Sequence, residues 1–343
     1  MDNVKLYNYA ADAIDSLQQF AANVESRGDT GSAAATRRLV ELLRKGEKFL
    51  LPNCAEIVDT ASLGEAHLEL LRLPYPVTVF EAQWEKDDPV TPYVNGMPQM
   101  RSSRRIALCW ELGDRPGPFP DEEARMREAY PEGGTFVASI YYIDHFGAWH
   151  PAAGMVFVPR DFRIAPDAPA LPGSVQAELA MSEAGQDMAH GYRFHAEPIP
   201  IAEGLFAEAV ARFNGDRATA LSQILVDTRD ELQMMVQACA VLNCANVKTV
   251  DVRPSPTAMA MRAAKKKAPL FSYKVLQLAP DAGSDDKHGA GRGTHASPRT
   301  HLRRGHIRRL PDRTLWISAT LVNRGSANGA VSKDYQILPR QGG

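Results

Sequence analysis

Apolar residues at Tyr7, Ala11, Ile14, Leu17, Ala21 and Val24 recur every three or four positions, which predicts an amphipathic helix at the start of the chain. A Gly28-Asp29-Thr30-Gly31-Ser32 break separates it from a second helix over Ala33–Arg44. Ser62 with Glu65 fits a capping box for a third, short helix. Leu73-Pro74-Tyr75-Pro76 ends that helix, because proline bars the residue before it from helical geometry. The period then falls to that of strands. Val77–Gln83, Arg105–Leu112, Thr135–Ile143 and Met155–Val158 are rich in β-branched and aromatic residues and are separated by Pro/Gly-rich turns. Residues 1–160 are therefore expected to form an α+β lobe with a largely antiparallel sheet.

Residues 161–200 are punctuated by Pro166, Pro169, Pro172, Pro198 and Pro200 around one weak helical stretch, Val175–Met188, and read as a connection. The remainder, 201–343, opens with helices at Ile201–Phe213 and Arg217–Leu242. Asp216 is the expected N-cap of the second, and Leu221, Ile224, Leu225, Leu232, Met235 and Val236 its core positions. Strands follow at Val247–Val252 and Leu270–Leu278. Ala279–Thr300 is a run of small residues, aspartates and glycines with the composition of a disordered loop. The expected fold class is α+β: N-terminal helices with a mostly antiparallel sheet, then a helical segment and a C-terminal antiparallel sheet. The last strands are expected to join Leu270–Leu278 under the helices of 201–242, with Ile307, Ile317 and Leu321 buried.

The most patterned stretch lies near the end. Arg304-Gly305-His306-Ile307-Arg308 and Thr314–Val322 form a predicted hairpin about Pro311-Asp312. A three-residue loop, Pro311–Arg313, would collect Arg304, His306, Arg308, Trp316, Ser318 and Thr320 on one face and Ile307, Leu315, Ile317 and Leu321 on the other. A two- or four-residue loop would set His306 and Arg308 beside Leu315 and Ile317, so the clean split favours the odd loop. A third strand, Ala330–Leu338, would place Lys333 and Tyr335 on one side.

Charge sharpens this picture. The net charge of −2 over 343 residues conceals a polarity. Residues 253–343 carry 17 Lys/Arg against 5 Asp, while residues 1–252 carry 22 Lys/Arg against 36 Asp/Glu. Such a chain either faces a polyanion with its basic end or draws its own halves together. Lys265, Lys266 and Lys267 form a second basic focus, at the end of the run that begins with Arg262.

Cys54, Cys109, Cys239 and Cys244 have neither metal-ligand nor disulfide spacing, and read as buried free thiols in a reducing compartment. His288, His295, His301 and His306 lack a zinc framework, and no metal or other cofactor is expected. His145 and His150 flank Phe146-Gly147-Ala148-Trp149 in what reads as an ordinary polar turn. Glu81, Glu85, Asp87 and Asp88 read as solvated carboxylates. No signal peptide or membrane-spanning run is seen, so the expected location is cytoplasmic, with no membrane partner.

Leu242-Asn243-Cys244-Ala245-Asn246-Val247, the basic segment ending Pro269-Leu270, Arg304-Gly305-His306, Trp316 and Lys333-Asp334-Tyr335 resemble a group of uncharacterised proteins of bacteriophages and prophages, as does Leu71-Arg72-Leu73-Pro74-Tyr75. The resemblance implies an accessory role in the host cell and carries over no activity. Three readings are open. One is binding of nucleic acid, single strands included, with Lys265, Lys266, Lys267, Arg304, Arg308 and Lys333 on phosphates, Trp316 stacked on a base, and Ser318 and Thr320 as donors. Another is metal-independent phosphoryl transfer, as in a ribonuclease, with His306 and Tyr335 as catalytic candidates. The third is inhibition of a host protein, bound by the acidic half.

Overall fold

A computed structural model of the chain describes residues 6–57, 70–85, 101–160, 195–244 and 247–276 with their side chains. It also describes the backbone at 93–94, 97–98, 163–164, 193–194, 277–278, 301–303, 306–309, 314–317 and 320–322. In chain order the main elements are α1 (Tyr9–Ser26), α2 (Thr30–Lys45), β1 (Glu47–Leu50), β2 (Val77–Gln83), β3 (Arg104–Glu111) and α3 (Pro120–Ala129). Then come β4 (Gly134–Ile143), β5 (Ala148–Pro159), β6 (Glu197–Pro200), α4 (Glu203–Arg212) and α5 (Arg217–Leu242). Last are β7 (Val247–Val252), α6 (Pro256–Ala264) and β8 (Tyr273–Leu278). The protein is α+β, as its sequence predicts.

The eight strands make one sheet in the order β6-β5-β4-β3-β2-β1-β8-β7. The run from β2 to β6 is antiparallel, and β7 is antiparallel to β8. Only β1 is parallel to its neighbours, β2 on one side and β8 on the other. The strand predicted at Leu270–Leu278 is thus β8, but its partners are β1 and β7. The C-terminal strands expected beside it pair elsewhere: 301–303 with 320–322, and 306–309 with 314–317.

Alternation along the strands gives the sheet two apolar faces. Val79, Ile106, Leu108, Phe136, Ala138 and Met155 meet α1 and α2. Phe80, Ala82, Ala107, Cys109, Val137 and Val156 meet α5. The periodic residues of α1, from Ala11 through Ile14 and Leu17 to Ala21, are buried as their spacing predicts. Sandwiched between sheet and α4, α5 buries residues all round rather than on a stripe. Asp216 opens it by accepting from the amides of Ala218 (2.9 Å) and Thr219 (3.2 Å), the predicted cap. All four cysteines are buried thiols outside any disulfide.

The hairpin register differs from the expected one. Arg309 pairs with Thr314, Arg308 with Leu315, Ile307 with Trp316 and His306 with Ile317, leaving a four-residue loop at 310–313. His306 and Arg308 therefore share register rows with Ile317 and Leu315. A clean polar/apolar split could set the register only if one face were packed against a core. Among the described residues, these strands pair only with each other. The predicted helix after Ser62, the Val175–Met188 helix, the Ala279–Thr300 loop and the Ala330–Leu338 strand lie outside the described residues, as do the side chains of Ile307, Ile317 and Leu321.

Candidate partner-binding groove

The basic run predicted from sequence is divided between two tasks. Ser255 caps α6 by accepting from the Ala258 amide (3.2 Å), Pro256 begins the helix, and Lys266, just past its end, lies in the left-handed region (φ 52°). Arg262 turns inward. Its guanidinium spans Asp12 (Nη1–Oδ1 2.7 Å) and Asp15 (Nη2–Oδ2 3.0 Å) on α1, and its Nε donates to the Ala268 carbonyl. The Ala268 amide donates to Asp15 Oδ1 (3.0 Å) and the Phe271 amide to Asn8 Oδ1 (2.9 Å). The link from α6 to β8 is thus stitched along α1. In Arg262 the basic end meets the acidic half of the chain.

Lys265, Lys266 and Lys267 remain exposed and line a groove of about 840 Å³ against α1. Asp12, Asp15, Gln18 and Gln19 form its α1 wall, and Arg104, Tyr142 and Trp149 close the sheet side. The Arg104 guanidinium lies 4.4 Å from the Tyr142 ring centroid, which fixes a long cation over an aromatic face. Gly147, in the β4–β5 turn, lines the rim. In the same turn Phe146 is 54% exposed and lies 5.9 Å from the His150 ring, which meets Phe20 of α1 edge-on at 5.6 Å. Partial burial lowers the His150 pKa, which favours a neutral ring near neutrality. The turn is therefore aromatic and packed on α1, more than the polar turn its sequence suggests.

At the start of α1 sits a buried carboxylate. Glu81 accepts from the amides of Tyr9 (2.9 Å) and Ala10 (2.8 Å), two donors that the first turn of α1 would otherwise leave orphaned. Tyr273 donates its hydroxyl to the same carboxylate (2.6 Å). Burial raises the Glu81 pKa to about 7, against the pull of these donors and of Lys48. Lys48 is buried too, which lowers its pKa to about 8, and its ammonium stands 3.8 Å from the Phe271 ring centroid. The expectation that Glu81 is solvated is overturned: its strand position points into the core on the α1 side. Glu85 is exposed, and Asp87 and Asp88 lie outside the described residues.

The opposite sheet face holds a second buried ionic set. Arg105 pairs with Asp230 (2.9 Å) and Glu231 (3.0 Å) of α5, and Ser139 donates to Glu231 (2.8 Å). Burial raises the pKa of Glu231, and that of neighbouring Asp227 to about 6. This cluster fastens α5 to the sheet. Among the described residues, no group of three or more potential ligands could hold a metal ion. Nor is any described helix long and apolar enough to cross a membrane.

Of the residues singled out in the sequence, the structure brings Lys265, Lys266 and Lys267 to the groove. His306, Arg308, Trp316 and Thr320 are described by backbone alone, in the small paired strands, while Arg304, Ser318, Lys333 and Tyr335 lie outside the described residues. Asp12, Asp15, Arg104 and Glu81 were not predicted as site residues. The one trace of them in the sequence is the acidic pair three residues apart on a helix facing a basic C-terminal half.

The AcrVA2-like family, described as the anti-CRISPR type V subtype A2 family, matches residues 52–324, roughly four-fifths of the chain. The chain belongs to that family. The match covers the sheet from β2 to β8, the α6–β8 link with its lysines and the C-terminal strands, and it ends before Lys333-Asp334-Tyr335. It agrees with the phage-type character of the sequence. No curated protein and no solved structure matches the chain.

Proposed function

We propose that this AcrVA2-like protein is a phage-encoded inhibitor of type V CRISPR defence that works in the host cell by binding a protein of that system, through the groove between α1 and the α6–β8 link. The observation that carries this reading is the groove's mixed chemistry. Lys265, Lys266, Lys267 and Arg104 stand beside Asp12, Asp15, Gln18 and Gln19, with exposed Phe146 in the turn at the rim. Interleaved charge with an aromatic anchor suits a protein surface, whose own charges alternate in sign. A nucleic-acid backbone presents one sign only.

The test has two parts. Cells with an active type V system targeting a plasmid regain transformation when the protein is expressed. In vitro, the protein binds the purified effector protein of that system with an affinity that changes little between low and moderate salt. Loss of affinity by about 10³-fold or more over that range, with binding to naked single strands, would instead support phosphate contacts by Lys265, Lys266 and Lys267 together with Arg304, Arg308 and Lys333. No protection of the plasmid would remove the inhibitor reading.

A further inference from the structure

α6 is built like an interior helix and lies on the surface. From Ala258 to Ala264 its only polar side chain is Arg262, and a helix that is apolar all round ordinarily sits inside a protein. Yet α6 buries no residue, with Met259 40% and Met261 59% exposed. Every other described main helix buries at least one. Arg262 holds one side of α6 to α1 through Asp12 and Asp15. Ala258 and Arg262, four residues apart, share the partly covered face, while Met261 and Lys265, also four apart, are exposed and continue one stripe into the lysine run.

We infer that α6 and the lysines after it form the docking surface for an acidic amphipathic segment of the protein partner, its apolar side chains seated on Met261 and its carboxylates over Lys265, Lys266 and Lys267. This rests on the proposed protein-binding function and names the partner's chemistry. The occupant follows from charge. No acidic residue occurs from Arg253 to Lys274, while Arg253 and Lys265–Lys267 are exposed. A second copy of the chain would set lysine against lysine. A helix of nine residues is only about 13 Å long, a shallow anchor for a lipid surface. Methionine suits the role because its unbranched thioether adapts to the shape laid against it. Met261 and Lys265 are one turn apart, about 6 Å along the axis. The partner segment therefore carries a carboxylate within one helical turn, or one two-residue strand step, of an apolar side chain.

The experiment uses the full chain with p-benzoylphenylalanine at position 261, expressed in cells carrying a type V system and irradiated. Mass spectrometry then identifies the cross-linked segment, which is synthesised as a peptide and titrated against the purified protein. The expected segment is acidic and apolar. Its affinity falls about tenfold or more for Met261→Glu, for Met261→Gln and for the triple variant Lys265→Glu/Lys266→Glu/Lys267→Glu. A peptide with its carboxylates changed to lysines binds the triple variant better than wild type does. Cross-links to nucleic acid, phospholipid or a second copy, a segment without carboxylates, no cross-link, or unchanged affinity in the variants would overturn the assignment. If the variants keep their thermal unfolding temperature and still protect the plasmid as wild type does, the docking surface is wrong and the inhibitor function stands. If wild type gives no protection, the function itself fails.

Discussion

Tyr273 donates a 2.6 Å hydrogen bond to Glu81, so the first residue of β8 is tied to the carboxylate that caps α1. Glu81 titrates near 7 in the folded protein, above its ordinary value of 4.5. The folded state thus holds this proton more tightly than the unfolded chain. Its contribution to stability is full below about pH 4.5 and is lost as pH rises through about 7, a span of about 3 kcal/mol. Lys48 has the opposite sign: its pKa, lowered from 10.5 to about 8, adds stability as pH rises between those values. Urea unfolding at about pH 5 and pH 7.5 should show wild type losing stability relative to Glu81→Gln across that interval. Parallel pH curves for the two proteins would contradict the assignment.

Arg262→Ala should loosen the α6–β8 link without unfolding the sheet. The guanidinium is largely buried between Asp12 and Asp15, whose own carboxylates are partly solvated, so the expected loss is about 1–2 kcal/mol and local. Hydrogen exchange should quicken over residues 256–272 while amides of β3 and β4 keep their protection.

Arg105→Ala should be among the most damaging single changes. It strands Glu231 and Asp230 between α5 and the sheet without a cation in place, for which about 3–5 kcal/mol is expected in the urea midpoint. Arg105→Met combined with Glu231→Leu should recover part of that loss, because a buried pair replaced by apolar groups no longer carries its desolvation penalty.

Gly154→Ala tests the contact between α5 and β5. A Cβ there would lie 2.5 Å from Ile224 Cδ1 and 2.8 Å from the Ile199 carbonyl, and the backbone carbonyl cannot turn aside. Destabilisation of about 1–3 kcal/mol is expected, with loss of exchange protection centred on β6.

Periodicity announced α1, α2, α5, β2, β3, β4 and β7, because each carries its own apolar pattern or cap. Asp216 was legible as a cap from position alone. β1 was not, since Glu47-Lys48-Phe49-Leu50 has no pattern of its own and is a strand only between β2 and β8. The groove was half legible. Lys265–Lys267 stand out in the sequence, but Arg262 finds its carboxylates some 250 residues away, a pairing no local pattern encodes. Glu81 was read with its neighbouring carboxylates as solvated, and the reading fails because neither parity of β2 faces water.

β1 lies between β2, made soon after it, and β8, which ends at Leu278. On a ribosome adding about 5–20 residues per second, roughly 10–40 s separate the two neighbours. During that interval the strands from β2 to β6 can already be paired while the outer edge of β1 waits with free backbone donors and acceptors. An unpaired edge invites strands from other chains. A fragment ending before Val247 would keep that edge open permanently, and should aggregate where the full chain does not.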